Sequence, residues 1–140
     1  RTHGERYGRD GCRVPIPWEA TAPAYGFNAI GKSWLPQPPV WAELARDVQA
    51  GDDASTLTLY RTLLRLRREH ALGTGTLTWL DGFPDDVLAF RKGDVVVVTN
   101  VGDAPVALPR EGRVLVASAA LGGMTELAPD TTLWLEWPAG

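Results

Sequence analysis

Arg9 and Arg13 stand four positions apart in the run Arg9-Asp10-Gly11-Cys12-Arg13-Val14-Pro15-Ile16-Pro17-Trp18. A guanidinium is a planar, permanently charged fork of donors that grips carboxylates and paired oxygens in a fixed geometry. Two such forks so close together either hold a ligand or pin their own loop through backbone carbonyls and Asp10. Cys12 lies between them, and neighbouring positive charge favours a thiolate. No general base is near it in sequence, so an inert packing role is expected. His3 and His70 are far apart and Cys12 is the single cysteine, so no metal-ligand spacing exists and no metal or other cofactor is expected.

Around these residues the chain has three textures. Residues 1 to about 52 are irregular and rich in Gly and Pro. They carry three of the six tryptophans, Trp18, Trp34 and Trp41, with Tyr25 and Phe27 among them. Trp41, Leu44 and Val48 recur at helical spacing after Pro38-Pro39, which predicts a short helix closed by Gly51. An irregular segment of this length is uncommon in a compact protein unless it is functional or packs on a further body.

From about Ser55 to Ala71 the pattern predicts one amphipathic helix, with Asp53 or Ser55 as N-cap and Gly73 just past its end. At about 100° per residue, Leu57, Leu59, Tyr60, Leu63, Leu64 and Leu66 fill half the circumference. So wide an apolar arc calls for a large partner, expected upstream of residue 1. Arg67 projects into the middle of this arc and is expected to be buried with a partner, because an unpaired buried charge costs several kcal/mol. Arg61, Arg65 and Arg68 form a solvated face.

From Gly75 the period changes to two. Strands are predicted at Thr76 to Leu80, Val87 to Arg91, Val95 to Val101, Val106 to Leu108, Val114 to Ala117 and Leu133 to Trp137, with hairpin turns at Gly93-Asp94 and Gly102-Asp103. The unbroken Val95 to Val98 run suits a central strand covered on both faces. Together these make a small antiparallel β-sandwich, expected to fold on its own better than the N-terminal half.

The chain opens on Arg1 rather than Met, with a polar Gly-rich start, and is read as a piece of a longer protein. Its 140 residues, 44% of them hydrophobic, can hold one small domain plus an element belonging to another. A net charge of −3 leaves no basic excess for phosphates, which argues against nucleic acid as a partner. No stretch approaches the roughly 20 apolar residues of a membrane helix. A lone cysteine excludes an internal disulfide framework, and a soluble, cytoplasmic parent is expected.

The run from Arg9 to Trp18 resembles the RDPxRTPMQW-type segment of α-glucosidases, oligo-1,6-glucosidases and related members of the α-amylase superfamily, glycoside hydrolase family 13. The actinobacterial α-glucosidase variant is the nearest in pattern. An aromatic loop follows, then Ser55, Leu57, Tyr60, Arg61, Leu63, Leu64, Leu66, Arg67 and Arg68 in the spacing such enzymes use for the last barrel helix, then a terminal β-domain. The resemblance spans essentially the whole chain.

It implies that residues 1–73 are the last substrate-side loop and final helix of a (β/α)8 barrel, and residues 74–140 the C-terminal β-sandwich domain. In such barrels the loops at the C-terminal ends of the strands handle substrate. Retaining glycosidases need two carboxyl groups roughly 5 Å apart. The resemblance places these upstream of Arg1, so no residue here is expected to be catalytic, and Asp10, Asp85 and Asp86 are read as loop, cap or ion-pair residues. Arg13 matches the arginine that pairs with an upstream Asp and binds the terminal glucose. Arg9 matches one nearer the leaving-group sugar. The expected partners are an α-glucoside or oligosaccharide and the upstream barrel of the same polypeptide. Gly11-Cys12 and Val14 to Pro17 depart from other branches, which keeps trehalose synthases and sucrose-active relatives open.

A different class also remains open. The β-sandwich alone is a candidate carbohydrate-binding module, with Trp79, Trp134 and Trp137 as a platform. Trp18, Tyr25, Phe27 and Trp34 are of a type that stacks on sugar faces, although aromatics in a Pro-rich loop more often supply its packing.

Overall fold

The computed structural model describes residues 12–108, 112–123 and 125–137. The chain forms two compact units, Arg1–Leu59 and Tyr60–Gly140.

The first unit is built by tertiary hydrogen bonds more than by regular structure. One 3-10 turn covers Pro23–Gly26 and another Pro39–Ala42, and a short helix α1 covers Arg46–Ala50. The single helix expected across Trp41, Leu44 and Val48 is therefore broken in two. Ala45 lies between the pieces in an extended conformation (φ −63°, ψ 145°). The amides of Arg46 and Asp47 bond instead to the carbonyls of Pro17 (3.0 Å) and Trp18 (3.2 Å). Long-range bonding thus replaces the local i→i−4 bonds that would have continued a helix. Ala45 is fully buried at this junction.

Gln49 then fastens α1 to the start of the next helix. Its side chain donates to the Leu44 carbonyl (2.7 Å) and accepts from the Leu57 amide (3.2 Å), while its own carbonyl accepts from the Ser55 hydroxyl (2.6 Å). Helix α2 spans Thr56–Glu69. Ser55 is its N-cap: Oγ accepts the Thr58 amide at 3.1 Å, satisfying one of the orphan donors of the first turn.

The C-terminus of α2 departs from expectation. Ala71, not Gly73, takes the left-handed position (φ 49°). The Leu72 amide reaches the Arg67 carbonyl (2.9 Å) and the Ala71 amide the Arg68 carbonyl (3.1 Å), the paired bonds of a Schellman motif. Leu72, at the next position, is buried. Along α2 only Leu66 is buried, and Tyr60 and Leu64 are 61% and 52% exposed. Arg67 is exposed as well. The expected buried guanidinium is thereby corrected: the arc around it is only partly covered and Arg67 itself is exposed, so it pays no desolvation cost that a partner must offset.

The second unit is a small antiparallel sheet domain. Its strands are β1 (Leu77–Trp79), β2 (Val87–Lys92), β3 (Val95–Asn100), β4 (Val106–Ala107), β5 (Arg113–Ala117), β6 (Glu126–Leu127) and β7 (Thr131–Glu136). Five form one sheet in the order β1-β2-β3-β7-β5, and β4 pairs with β6 in a two-stranded ribbon. Strand β3 is central, and Val95, Val96, Val97 and Val98 are all buried, as a four-valine run covered on both faces requires. One face gathers Val87, Ala89, Val96, Val98, Leu133 and Leu135 together with Leu127 of the ribbon. The other carries Val95 and Val97 with Leu72, Phe90 and Trp134 packed around them.

Gly93-Asp94 makes the expected two-residue hairpin, with Lys92 paired to Val95 and Gly93 at φ 63°. Gly102-Asp103 does not: β3 has β2 and β7 as neighbours, and β4 joins the other sheet. Asn100 explains the diversion. Its buried side chain donates to the carbonyls of Ala104 (2.8 Å) and Leu127 (3.0 Å) and accepts from the Gly102 amide (2.9 Å). These bonds turn the chain out of the sheet immediately after β3.

Candidate functional site

Arg9 lies outside the described residues. Arg13 is described, exposed, and set in non-helical chain two positions before the buried Pro15. Cys12 is also exposed, so the expectation of inert packing for this thiol is corrected.

Downstream of Arg13 the loop is held in a defined shape. Ala24 (φ 48°), Tyr25 (φ 50°) and Gly26 (φ 71°) are consecutive left-handed residues. Two of the three carry a Cβ, at a cost on the order of 1–3 kcal/mol each. The turn they form aims the Tyr25 carbonyl at the amides of Trp18 (2.8 Å) and Glu19 (3.2 Å). From the other side, the Asp47 carboxylate accepts the Ala20 amide through both oxygens at 3.2 Å, and the Asp47 amide bonds to the Trp18 carbonyl. The Trp18-Glu19 backbone is thus fixed by bonds from two directions.

Trp18, Glu19, Gly26 and Arg46 border a shallow hollow of about 430 Å³ that is largely open to solvent. Trp18 is 46% exposed, and Glu19 and Arg46 are exposed. Among the described residues, neither Glu19 nor Arg46 is in an ion pair. Trp18, a carboxylate and a guanidinium therefore border the same shallow, open space. The sequence marks Trp18 as a candidate aromatic. Nothing in it associates Arg46 with this position, since 27 residues of irregular chain intervene.

The other aromatics divide. Tyr25 packs, its hydroxyl donating to the carbonyls of Pro38 and Pro39 at 3.3 Å each. Phe27 is half exposed and Trp34 is 87% exposed, so the latter contributes little packing to the loop.

In the second unit the proposed tryptophan platform does not form. Leu133, Leu135 and Trp137 belong to one face of the sheet and Trp134 to the other. Trp79 is 63% exposed and meets Phe90 edge-on, with centroids 5.6 Å apart, while Trp137 is buried. Strand alternation makes this unavoidable, since residues 134 and 137 differ by an odd number of positions.

Charged groups in this unit form three pairs among the described residues, one of them Arg65–Glu69 along α2 (2.7 Å). His70 Nδ1 lies 2.9 Å from Asp94 Oδ2, and Arg113 Nε lies 2.5 Å from Glu136 Oε2. The His70 hydrogen bond holds the Asp94 carboxyl below its ordinary pKa, and the Arg113 hydrogen bond does the same to Glu136. Glu136 in turn raises the Arg113 guanidinium. The exposed, depressed Asp94 and Glu136 carboxylates remain ionised at neutral pH, which suits fastening rather than proton transfer. Among the described residues no cluster of three or more His, Cys, Asp or Glu is placed to hold a metal ion. No described helix is long and apolar enough to cross a membrane.

No protein-family model matches the chain. Individual proteins do. A probable alpha-glucosidase of Rhizobium meliloti (strain 1021) is 40% identical over 75 residues, covering 53% of this chain and 13% of its own length. A malto-oligosyltrehalose trehalohydrolase of Rhizobium sp. (strain M-11) is 39% identical over 116 residues, covering 80% of this chain and 17% of its own length. Among solved structures, the MUTB F164L mutant, from crystals soaked with trehalulose, superposes with a TM-score of 0.72 at 27% identity. That match covers 93% of this chain and 26% of the other. The chain thus spans less than a fifth of the curated relatives' length. Agreement in both sequence and fold across most of its residues shows that the chain belongs to the α-amylase family, glycoside hydrolase family 13.

Proposed function

We propose that this chain is the C-terminal portion of an α-glucosidase whose parent hydrolyses terminal α-glucosidic bonds of malto- or isomalto-oligosaccharides. The reaction is a double displacement through a glucosyl-enzyme intermediate, with both carboxyl groups supplied upstream of Arg1. Residues 1–73 contribute the substrate-side loop and last helix of the catalytic barrel, and residues 74–140 a β-sandwich that stabilises it. The chain alone is inactive, and its partners are the upstream barrel and the sugar substrate. We place the parent in the cytoplasm.

One observation carries this reading: a double-arginine loop, an aromatic segment and an arginine-rich amphipathic helix follow one another in the family's order, on a chain matching an alpha-glucosidase over 75 residues. Arg13 is the principal substrate contact in this scheme. It binds a sugar hydroxyl and an upstream carboxylate with one planar fork and closes the pocket at the terminal glucose. Its exposure supports that role, as does the absence of a competing ion pair among the described residues. Arg9 acts toward the leaving-group sugar. The exposed arc of α2, including Tyr60 and Leu64, supports a barrel packed against this helix.

The test compares hydrolysis of a chromogenic α-glucoside and of maltose by the 140-residue chain and by the product of the complete reading frame. Activity confined to the longer product, lost about a hundredfold on Arg13→Lys, supports the reading; that loss corresponds to ~2.7 kcal/mol of transition-state stabilisation. Hydrolysis by the short chain refutes it. A longer product that instead isomerises sucrose or maltose moves the parent to the sucrose-active or trehalose-forming branch.

A further inference from the structure

We propose that Asp47 is a positioning residue for the double-arginine loop: it sets the direction of the chain between Arg13 and Trp18, and so where the Arg13 guanidinium is presented. The proposal rests on the α-glucosidase reading for the role of Arg13, and it adds a residue that acts through Arg13 rather than on the sugar.

Arg13 is joined to Trp18 by Val14-Pro15-Ile16-Pro17. Each proline ring fixes its own φ and restricts the residue before it to extended conformations. All four linking residues are therefore stiff, and none lies in a helix. Extended chain advances roughly 3.1–3.6 Å per residue, so the steps from Arg13 to Pro17 make an arm roughly 12–14 Å long. Such an arm transmits whatever happens at its base. A tilt of about 10° there displaces the tip by roughly 2 Å, and a misplacement of about 1 Å costs up to roughly a hundredfold in rate.

The base of the arm is Pro17 to Ala20, and its backbone is gripped from two sides. On one side the Tyr25 carbonyl accepts the Trp18 and Glu19 amides; on the other the Arg46 and Asp47 amides donate to the Pro17 and Trp18 carbonyls. These are bonds between backbone groups. The remaining grip is not: the Ala20 amide donates to both carboxylate oxygens of Asp47 at 3.2 Å each, a charge-assisted bond. Asp47 Oδ1 also accepts the Val48 amide at 2.9 Å, which holds the carboxylate in place. Among the described residues Asp47 is the one side chain that hydrogen-bonds to this segment. With its amide on Trp18 and its carboxylate on Ala20, it makes a two-point clasp, which resists the rotation that either bond alone would allow. Asp47 is exposed, so its removal opens no cavity and its loss is felt in the arm rather than in a core.

The experiment has two readouts. In the 140-residue chain Cys12 is the single cysteine and is exposed beside Arg13, so a nitroxide attached to it reports motion at the tip of the arm. Asp47→Ala is expected to sharpen the nitroxide spectrum. Asp47→Asn keeps an acceptor oxygen for the Ala20 amide and is expected to change it little, and Glu43→Gln, at a nearby exposed carboxylate, not at all. Circular dichroism checks that the variants keep the fold. In the product of the complete reading frame, Asp47→Ala is expected to lower kcat/KM for the chromogenic α-glucoside about tenfold, or ~1.4 kcal/mol, with a rise in KM, and Asp47→Asn to restore most of it. In an Arg13→Lys background the same change is expected to cost less than about twofold, because effects of residues that act as a unit do not add. A nitroxide spectrum unchanged by Asp47→Ala overturns the proposal. So does a loss that is equal in both backgrounds with KM unchanged, which a fall in the folded fraction alone produces. A complete product without α-glucosidase activity refutes the parent's assignment instead, and the nitroxide still decides whether Asp47 holds the arm.

Discussion

Replacing Asn100 with Ala removes three hydrogen bonds in one step. Asn100 is fully buried, and its partners are the carbonyls of Ala104 and Leu127 and the amide of Gly102. Leu127 is itself fully buried, so its carbonyl cannot recruit water where the amide has been deleted. An orphaned buried group costs about 1–3 kcal/mol. Ala104 is exposed and Gly102 half-buried, so water replaces much of what those two lose. The sum is about 3 kcal/mol, with the largest share at Leu127. Urea denaturation followed by far-UV circular dichroism measures it as a shift in midpoint at constant slope. Asn100→Asp discriminates further. It retains the acceptor for Gly102 but turns both donors into a carboxylate facing two carbonyls, so burial and repulsion raise its folded pKa. Its stability is therefore greatest below the unfolded carboxylate pKa and falls as pH rises above it. A loss below about 1 kcal/mol for Asn100→Ala, or no pH dependence for Asn100→Asp, would show that this side chain does not direct the exit from β3.

Ala71→Gly relieves a left-handed Cβ at an exposed position and should raise stability by about 0.5–1 kcal/mol, despite the greater freedom it gives the unfolded chain; thermal melting checks it, and a lowered melting temperature contradicts the cap assignment. Leu133→Ala, at a side chain 1% exposed, should cost about 2–5 kcal/mol. Leu64→Ala on the open face of α2 should stay within about 1 kcal/mol, and denaturant midpoints compare the two. The Asp94 and Glu136 carboxyls, both held low in the folded state, contribute stability that is complete above the unfolded carboxylate pKa. It is lost as pH falls through their depressed folded values. Arg113→Gln should therefore flatten the acid limb of the stability profile, as read from melting temperatures on descent below the ordinary carboxylate range. An unchanged limb shows the Arg113–Glu136 pair to be inconsequential.

Periodic elements were legible because burial imposes their period. Helix α2 lies within two residues of its expected ends, and β2, β3 and β7 follow from alternating or continuous apolar runs. Strand β6 was not legible, since two residues carry no period. The early helix failed because its continuation depended on whether Arg46 and Asp47 bonded locally or to Pro17 and Trp18, a tertiary choice invisible in residue types. Residue type favours Gly73 as the cap for its conformational freedom, yet Ala71 stands where Leu72 can be buried, and packing decides the position. Of the candidate site, Arg13 and Trp18 were readable from the motif around them. Glu19 and Arg46 were not, because their proximity is created by the loop's own hydrogen bonds.

The order of strands in the sheet also carries a timetable for synthesis. Strand β3 can pair with β2 as soon as both leave the ribosome, because only Gly93 and Asp94 separate them. Its other edge must wait: Asn100 for Thr131, and Val95 for Glu136. During that interval four consecutive valines present an unpaired edge to the crowded cell. Translation pausing before β7 would prolong this exposure, so the last strand to be made governs how safely the domain matures.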